Sequence, residues 1–222
     1  MAYARERLKP PTHEAMSGID WGEDPEGATP LDEAQRAGLR LSWVSTRADL
    51  NEAEADNILK GRRKWRARAR ARGARRLTLS QLLDHVTLRD VHRDMFGDVW
   101  SSAGQFRQRD LSIGIDFWRV PEAVSNLLDD AYFWVAGKEP LALPKAACRF
   151  HHKLVEIHPF PNGNGRHARE MTDLLLLVQG AKPFTWGSEN LNEANQTRRR
   201  YIDALVMADS GDYTYLEDFL LG

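Results

Sequence analysis

Two helical patterns meet at a turn that neither can continue through, and that junction constrains this chain more than any other feature. The approach, LPKAACRFHHKLVEIHPF from Leu143 to Phe160, puts Ala147, Phe150 or His151, Leu154 and Ile157 on one helical face. Pro159 bars its predecessor from the α region, so the helix is expected to end at or near His158, leaving the imidazole at the lip of the turn. Gly163 and Gly165 permit positive φ, and with Asn164 they can aim successive backbone N–H groups inward as an anion-binding nest. A second helix, GRHAREMTDLLLLVQG, begins near Gly165. Met171, Leu174, Leu175 and Val178 give it a buried face, and Gly180 suits its C-terminus.

Arg166 and Arg169 fall in the first turn of the second helix, on one side. A helix N-terminus already carries partial positive charge, so two arginines there destabilise the chain unless something negative lies between them. A phosphate chain would satisfy both guanidinium groups, the free N–H groups and the dipole together. A carboxylate from the same protein could do so as well.

The ordered run His158-Pro-Phe-Pro-Asn-Gly-Asn-Gly-Arg-His-Ala-Arg169 resembles the signature of the Fic/Doc superfamily, His-x-Phe-x-Asp/Glu-Gly-Asn-Gly-Arg-x-x-Arg. Every fixed position matches except Asn162, where the family usually has an acid. The resemblance extends over roughly Leu50 to Leu220. The stretch MFGDVWSSAGQFRQRDLSIGIDFWRVP is similar to the segment that leads into the family's target-aligning flap, and NLNEANQTRRRYIDALVMADSGDYTYLEDFL to its closing helices. The combination is most similar to the branch called "mobile mystery protein B", found on bacterial mobile elements.

The resemblance implies a protein adenylyltransferase that moves AMP from ATP to a Ser, Thr or Tyr hydroxyl of a target protein. It makes His158 the general base, with a basicity near the working pH. Gly163, Asn164 and Gly165 would cradle the α- and β-phosphates, Arg166 would stabilise the leaving pyrophosphate, and Arg169 would hold the γ-phosphate. Phe160 would point into the core. Mg²⁺ is the implied metal, and the acid that Asn162 replaces is the one that would ligate it; Asn offers a carbonyl oxygen without charge. Two alternatives stay open: transfer of another phosphate-containing group, and a catalytically weak nucleotide-binding regulatory protein. The resemblance also brings an antitoxin or other regulatory partner and self-association into view.

Between Arg109 and Val120, Leu111, Ile113, Ile115 and Phe117 alternate with polar or small residues, a strand or hairpin signal. It reads either as a small edge ribbon or as the flap, about residues 107–118, where Ser112, Ile113, Gly114 and Ile115 would receive an extended target segment as an added strand. Many relatives are held off by a glutamate that pairs with the second arginine. Glu54 and Glu52, on a helix read from Leu50 to Lys60 with Asn51 as its cap, are the candidates here by analogy. The literal match to the family's inhibitory motif, Thr185 to Asn190 with Glu189, is taken as chance.

The fold expected is an all-α bundle of roughly eight helices with one β-hairpin. Residues 1–38 read as an extended or partly ordered arm and 39–222 as the Fic domain. The formal net charge of −1 provides no global attraction to nucleic acid, and the run GRRKWRARARARGARR reads as a solvated Arg/Ala face paired with the acidic arm. The single cysteine, Cys148, fits a reducing cytosol. No apolar leader is evident, and LLLLV at 174–178 is too short to span a bilayer, so a cytoplasmic protein is expected. His151 and His152 are adjacent and read as packing or solvent residues. Tyr201, Asn195 and Asn192 are the candidates for contacts to the nucleotide base.

Overall fold

A computed structural model describes residues 37–188 and 196–222. Among them eight α-helices form: α1 (Arg47–Arg70), α2 (Leu79–Leu82), α3 (His85–Phe96), α4 (Val120–Ala136), α5 (Leu143–Ile157), α6 (Asn164–Val178), α7 (Gln196–Asp209) and α8 (Thr214–Leu221). The all-α expectation holds. Helix starts follow from local chemistry. Thr46 and Asp49 close a capping box on α1, Thr78 and Gln81 do the same on α2, and the Asp84 carboxylate accepts the N–H groups of Val86 and Thr87 on α3. Pro121 and Pro144 open α4 and α5, where a missing N–H costs nothing.

Three expectations need correcting. The first helix is not capped by Asn51 and does not stop at Lys60. It starts from Thr46 and runs on through the Arg/Ala stretch to Arg70, because Ala and Arg are strong helix formers. The arginines of that stretch do not all sit in solvent. Arg62 and Arg66 reach Glu170 on α6 at 2.7 Å each, and Arg66 also reaches Asp173 at 2.5 Å. Both carboxylates are almost wholly buried, so α1 is bolted to α6 by charge as well as by packing. Finally, residues 105–116 hold no strand. An isolated β-bridge joins Leu39 to Trp100. The cross-loop hydrogen bonds a hairpin ladder would supply come instead from side chains: the Arg107 guanidinium donates to the carbonyls of Arg109 and Ile115, and the Asp110 carboxylate accepts the Phe117 N–H at 2.9 Å.

α6 lies at the centre, against α1, α2, α3 and α5. Its buried side carries Met171, Leu174 and Leu175, which join Phe96, Phe150, Leu154 and Phe160 in one apolar core. A second cluster of Cys148, Trp186, Tyr201, Leu216 and Phe219 fastens α7 and α8 against α5. The turn between α5 and α6 is thereby fixed from both sides. The acidic arm lies outside the described residues, apart from its last two positions. Glu189, Asn190, Asn192 and Asn195 lie outside them as well.

Candidate active site

The α5–α6 turn is bent by two residues in the left-handed region. His158, the C-cap of α5, has φ 54° and ψ 59°, and Gly163, the N-cap of α6, has φ 72°. A histidine in this conformation costs about 1–2 kcal/mol relative to a helical or extended one, so the surroundings must hold it there. Gly163 is required twice over, since a Cβ at this position would stand 2.6 Å from the buried Phe96 ring. Asn164 closes the turn from within: its Oδ1 accepts the Phe160 N–H at 2.8 Å and its Nδ2 donates to the Phe160 carbonyl at 2.7 Å. The Asn164 side chain is therefore a brace. Its expected catalytic part reduces to the backbone N–H at the start of α6. Phe160 is fully buried, as expected, and stacks on His92 at 3.8 Å.

His158, Gly163, Asn164, Gly165, Arg166 and Arg169 all line one cleft of about 710 Å³. Ile113, Gly114 and Ile115 of the 105–116 loop form a wall of the same cleft, whereas Ser112 lies exposed outside it. Gly114 approaches so closely that a Cβ on it would come within 2.6 Å of the His158 Cβ. His158 is 7% exposed, and burial, aided by the Arg107 cation, pushes its pKa down to about 4. The ring is thus neutral at pH 7, as a proton acceptor must be. It is less basic than the sequence led one to expect, because the turn removes it from water.

The two arginines differ in setting. Arg166 Nη1 meets the Glu54 carboxylate at 2.7 Å, and its guanidinium lies 5.0 Å from the Phe96 ring centre. The other oxygen of Glu54 accepts the Trp100 indole N–H at 2.7 Å. Glu54 is 6% exposed and Trp100 1%, so this carboxylate is held in place. Glu54 therefore reaches the first arginine of the run rather than the second. Glu52 is exposed on α1 and does not line the cleft. Arg169 hydrogen-bonds the Tyr201 hydroxyl, and desolvation lowers its pKa. Tyr201 lines the cleft, but its hydroxyl is shared with His151 at 2.8 Å, so it supports Arg169 rather than standing ready for a base.

Asn162 is 7% exposed. Its carbonyl accepts from His92 Nε2 at 3.1 Å, a direction set by His92 Nδ1, which already accepts the Gly104 N–H at 3.0 Å. The Asn162 Nδ2 is buried with no hydrogen-bond partner. The spare donor suits an anionic oxygen, and to a divalent cation this side chain offers only a neutral Oδ1 without the charge of a carboxylate. Among the described residues no cluster of three or more His, Cys, Asp or Glu side chains could hold a metal. The residues present do not fit a charged Mg²⁺ site at Asn162.

Arg107, His92 and Trp100 were not legible as site residues. Each acts through a backbone atom or a carboxylate distant in sequence, and neither periodicity nor spacing records that.

The Fic/DOC family pattern matches residues 82–176, which contain the whole turn, all of α5 and all but the last two residues of α6. Over that stretch the chain is similar to a Fic/DOC family domain. Among curated proteins it is 33% identical over 141 residues to a protein adenylyltransferase Fic of Aedes aegypti, an alignment covering 61% of this chain and 27% of that one. It is 29% identical to a probable protein adenylyltransferase of Sinorhizobium fredii, covering 59% of this chain and 67% of that one. The chain thus spans little more than a quarter of the length of its animal relatives, 27% for the mosquito protein. A Bartonella quintana Fic domain with bound ADP shares the fold at a TM-score of 0.60 and 16% identity, covering 81% of this chain and 86% of that one. No helix among the described residues is long and apolar enough to cross a membrane.

Proposed function

We propose that this Fic domain is a protein adenylyltransferase that transfers AMP from ATP to a hydroxyl side chain of a target protein. The observation that carries the reading is the convergence on one cleft of a neutral imidazole, a glycine-bent helix N-terminus and two arginines. The adenylyltransferase names of the curated relatives, and the ADP in the Bartonella domain, support ATP as the donor. In this reading the backbone N–H groups at Gly163–Gly165 and the α6 dipole hold the phosphates, and Arg169 holds the far end of the triphosphate. The target hydroxyl attacks the α-phosphorus, its proton passes to His158, and the bond to the bridging oxygen breaks to release pyrophosphate. Arg166 neutralises charge growing on that leaving group. An incoming triphosphate raises the basicity of His158, because negative charge nearby favours the imidazolium.

Mg²⁺ enters this reading only as the counter-ion that ATP carries. No step is assigned to it. The loop at Ile113–Ile115 receives the target as an extended segment alongside His158. Glu54 is the internal brake: while it is seated, Arg166 is neutralised and the cleft offers the phosphates one cation fewer. The narrower branch assignment, a partner antitoxin, self-association and a reducing cytoplasmic setting rest on the sequence segments and the buried Cys148 alone. The test is to incubate the purified protein with ATP radiolabelled at the α- or the γ-phosphate. Label on protein from the α- but not the γ-position is the expected result. Transfer of γ-label would replace AMP transfer by phosphorylation.

A further inference from the structure

Arg107 is an arginine that the reaction scheme above does not use, yet it is 3% exposed and touches the site. Its backbone N–H donates to the Pro159 carbonyl at 3.0 Å, and its Nε donates to the His158 carbonyl at 2.8 Å. One Nη reaches the Ile157 carbonyl at 3.4 Å and also donates to the Ile115 carbonyl; the other donates to the Arg109 carbonyl at 3.1 Å. Ile157 and His158 are the last turn and cap of α5, where helical carbonyls have no intrahelical partner and a cation complements the dipole. Ile115 belongs to the opposite wall of the cleft, and Arg109 to the same loop. One side chain therefore spans the α5 cap and the facing loop; with no β-ladder in that loop, this guanidinium ties it to α5, while the Asp110 carboxylate, which accepts the Phe117 N–H at 2.9 Å, helps close its two arms.

We propose that Arg107 is a positioning residue for the transfer, which clamps the left-handed backbone of His158 and the target-facing loop into a single rigid unit. The inference rests on the adenylyltransferase reading. It goes further by assigning the register between proton acceptor and incoming hydroxyl to a residue outside the His158–Arg169 run. Gly114 supports the register argument. It stands between the clamp and the ring, with its notional Cβ 2.6 Å from the His158 Cβ and 3.1 Å from the Arg107 Nη2, so a small displacement of the loop is felt directly at the imidazole. No phosphate contact is assigned to Arg107, so its loss should spare nucleotide binding.

The experiment compares Arg107→Lys and Arg107→Met with the parent, in both the wild-type and Glu54→Gln chains. It measures ATP affinity by calorimetry, AMP transfer rate, and the pH dependence of that rate. Arg107→Met is expected to keep ATP affinity within about threefold while the transfer rate falls by about 100-fold, the usual cost of misplacing a reacting group by an ångström. Arg107→Lys, which keeps the charge but offers a single donor nitrogen, is expected to fall between. In Arg107→Met the acid limb of the pH–rate profile moves upward, since the cation that depresses the His158 pKa is gone. The other charged groups on the cleft, Glu54, Arg166, Arg169, Arg198, Glu156 and Asp209, are unchanged by that substitution. If Arg107→Met does not fold, Arg107→Lys carries the comparison. Parent-like rate and profile in a folded variant would overturn the clamp. Equal loss of ATP affinity and rate would overturn it too, by making Arg107 a general fold support. Absence of transfer in the parent and in Glu54→Gln would count against the adenylyltransferase reading instead.

Discussion

Glu54→Gln separates the brake from the scaffold. Glutamine retains an oxygen to accept the Trp100 indole N–H, now 2.7 Å from the carboxylate, so the buried donor stays satisfied and α1 keeps its seat. What is removed is the charge facing Arg166 at 2.7 Å. A charge-assisted hydrogen bond of this kind is worth about 1.5–3 kcal/mol, and partial exposure of the Arg166 side chain, 26%, argues for the lower half of that range. Triphosphate must compete with this contact for Arg166. Its removal should therefore tighten ATP binding roughly 10- to 40-fold, at 1.4 kcal/mol per decade. Calorimetric titration with ATP measures this directly, and self-labelling from α-labelled ATP should rise with it. A folded Glu54→Gln protein with unchanged ATP affinity would refute the reasoning, and with it the claim that Glu54 restrains the site. Glu52→Gln, on the exposed side of α1, should change nothing.

Asn162→Asp puts a charge beside an amide site that lacks a metal ligand set; it should raise the dependence of ATP binding on Mg²⁺, measured by titration with and without chelator. Gly163→Ala forces φ 72° on a residue with a Cβ and drives that Cβ to 2.6 Å from Phe96, so thermal unfolding should reveal a loss of roughly 2–5 kcal/mol. Stability should fall as the solution is acidified from pH 6.5 toward 4. His158 and His167 are held at about 4 and His151 at about 3 by burial, so each contributes stability that is complete above the unfolded value near 6.5 and is lost as pH drops toward the folded one. Asp173, raised by burial to about 6, works in the opposite sense, losing stability as pH rises from its unfolded value toward 6, but one carboxylate does not outweigh three histidines. Denaturant midpoints that rise on acidification through this window would contradict the burial of those rings.

The turn was legible because its chemistry is local. Pro159 stops one helix, Gly163 admits the bend, and the arginine spacing places Arg166 and Arg169 on one side of the next helix. Glu54 was legible as a candidate but not its partner, since reach from α1 to Arg166 depends on packing across 112 residues of chain. The alternation between Arg109 and Val120 predicts a hairpin that does not form, because alternation reports which side chains are apolar, not whether a ladder pairs; there side chains, the buried Arg107 guanidinium foremost, supply the cross-loop bonds. Arg62 and Arg66 were read as partners of the acidic arm, since sequence gives the sign of a charge but not the carboxylates of α6 that happen to lie alongside. His92 carries no motif, and its part in holding the Asn162 carbonyl depends on a tautomer selected by Gly104.

His158→Ala, assayed side by side for ATP binding and for AMP transfer, tests the central claim most directly. The imidazole lies beside the phosphate nest rather than within it, so ATP should bind with essentially parental affinity while label from the α-phosphate disappears from protein. Transfer that persists in His158→Ala would show that the ring at the end of α5 is not the group that takes the proton.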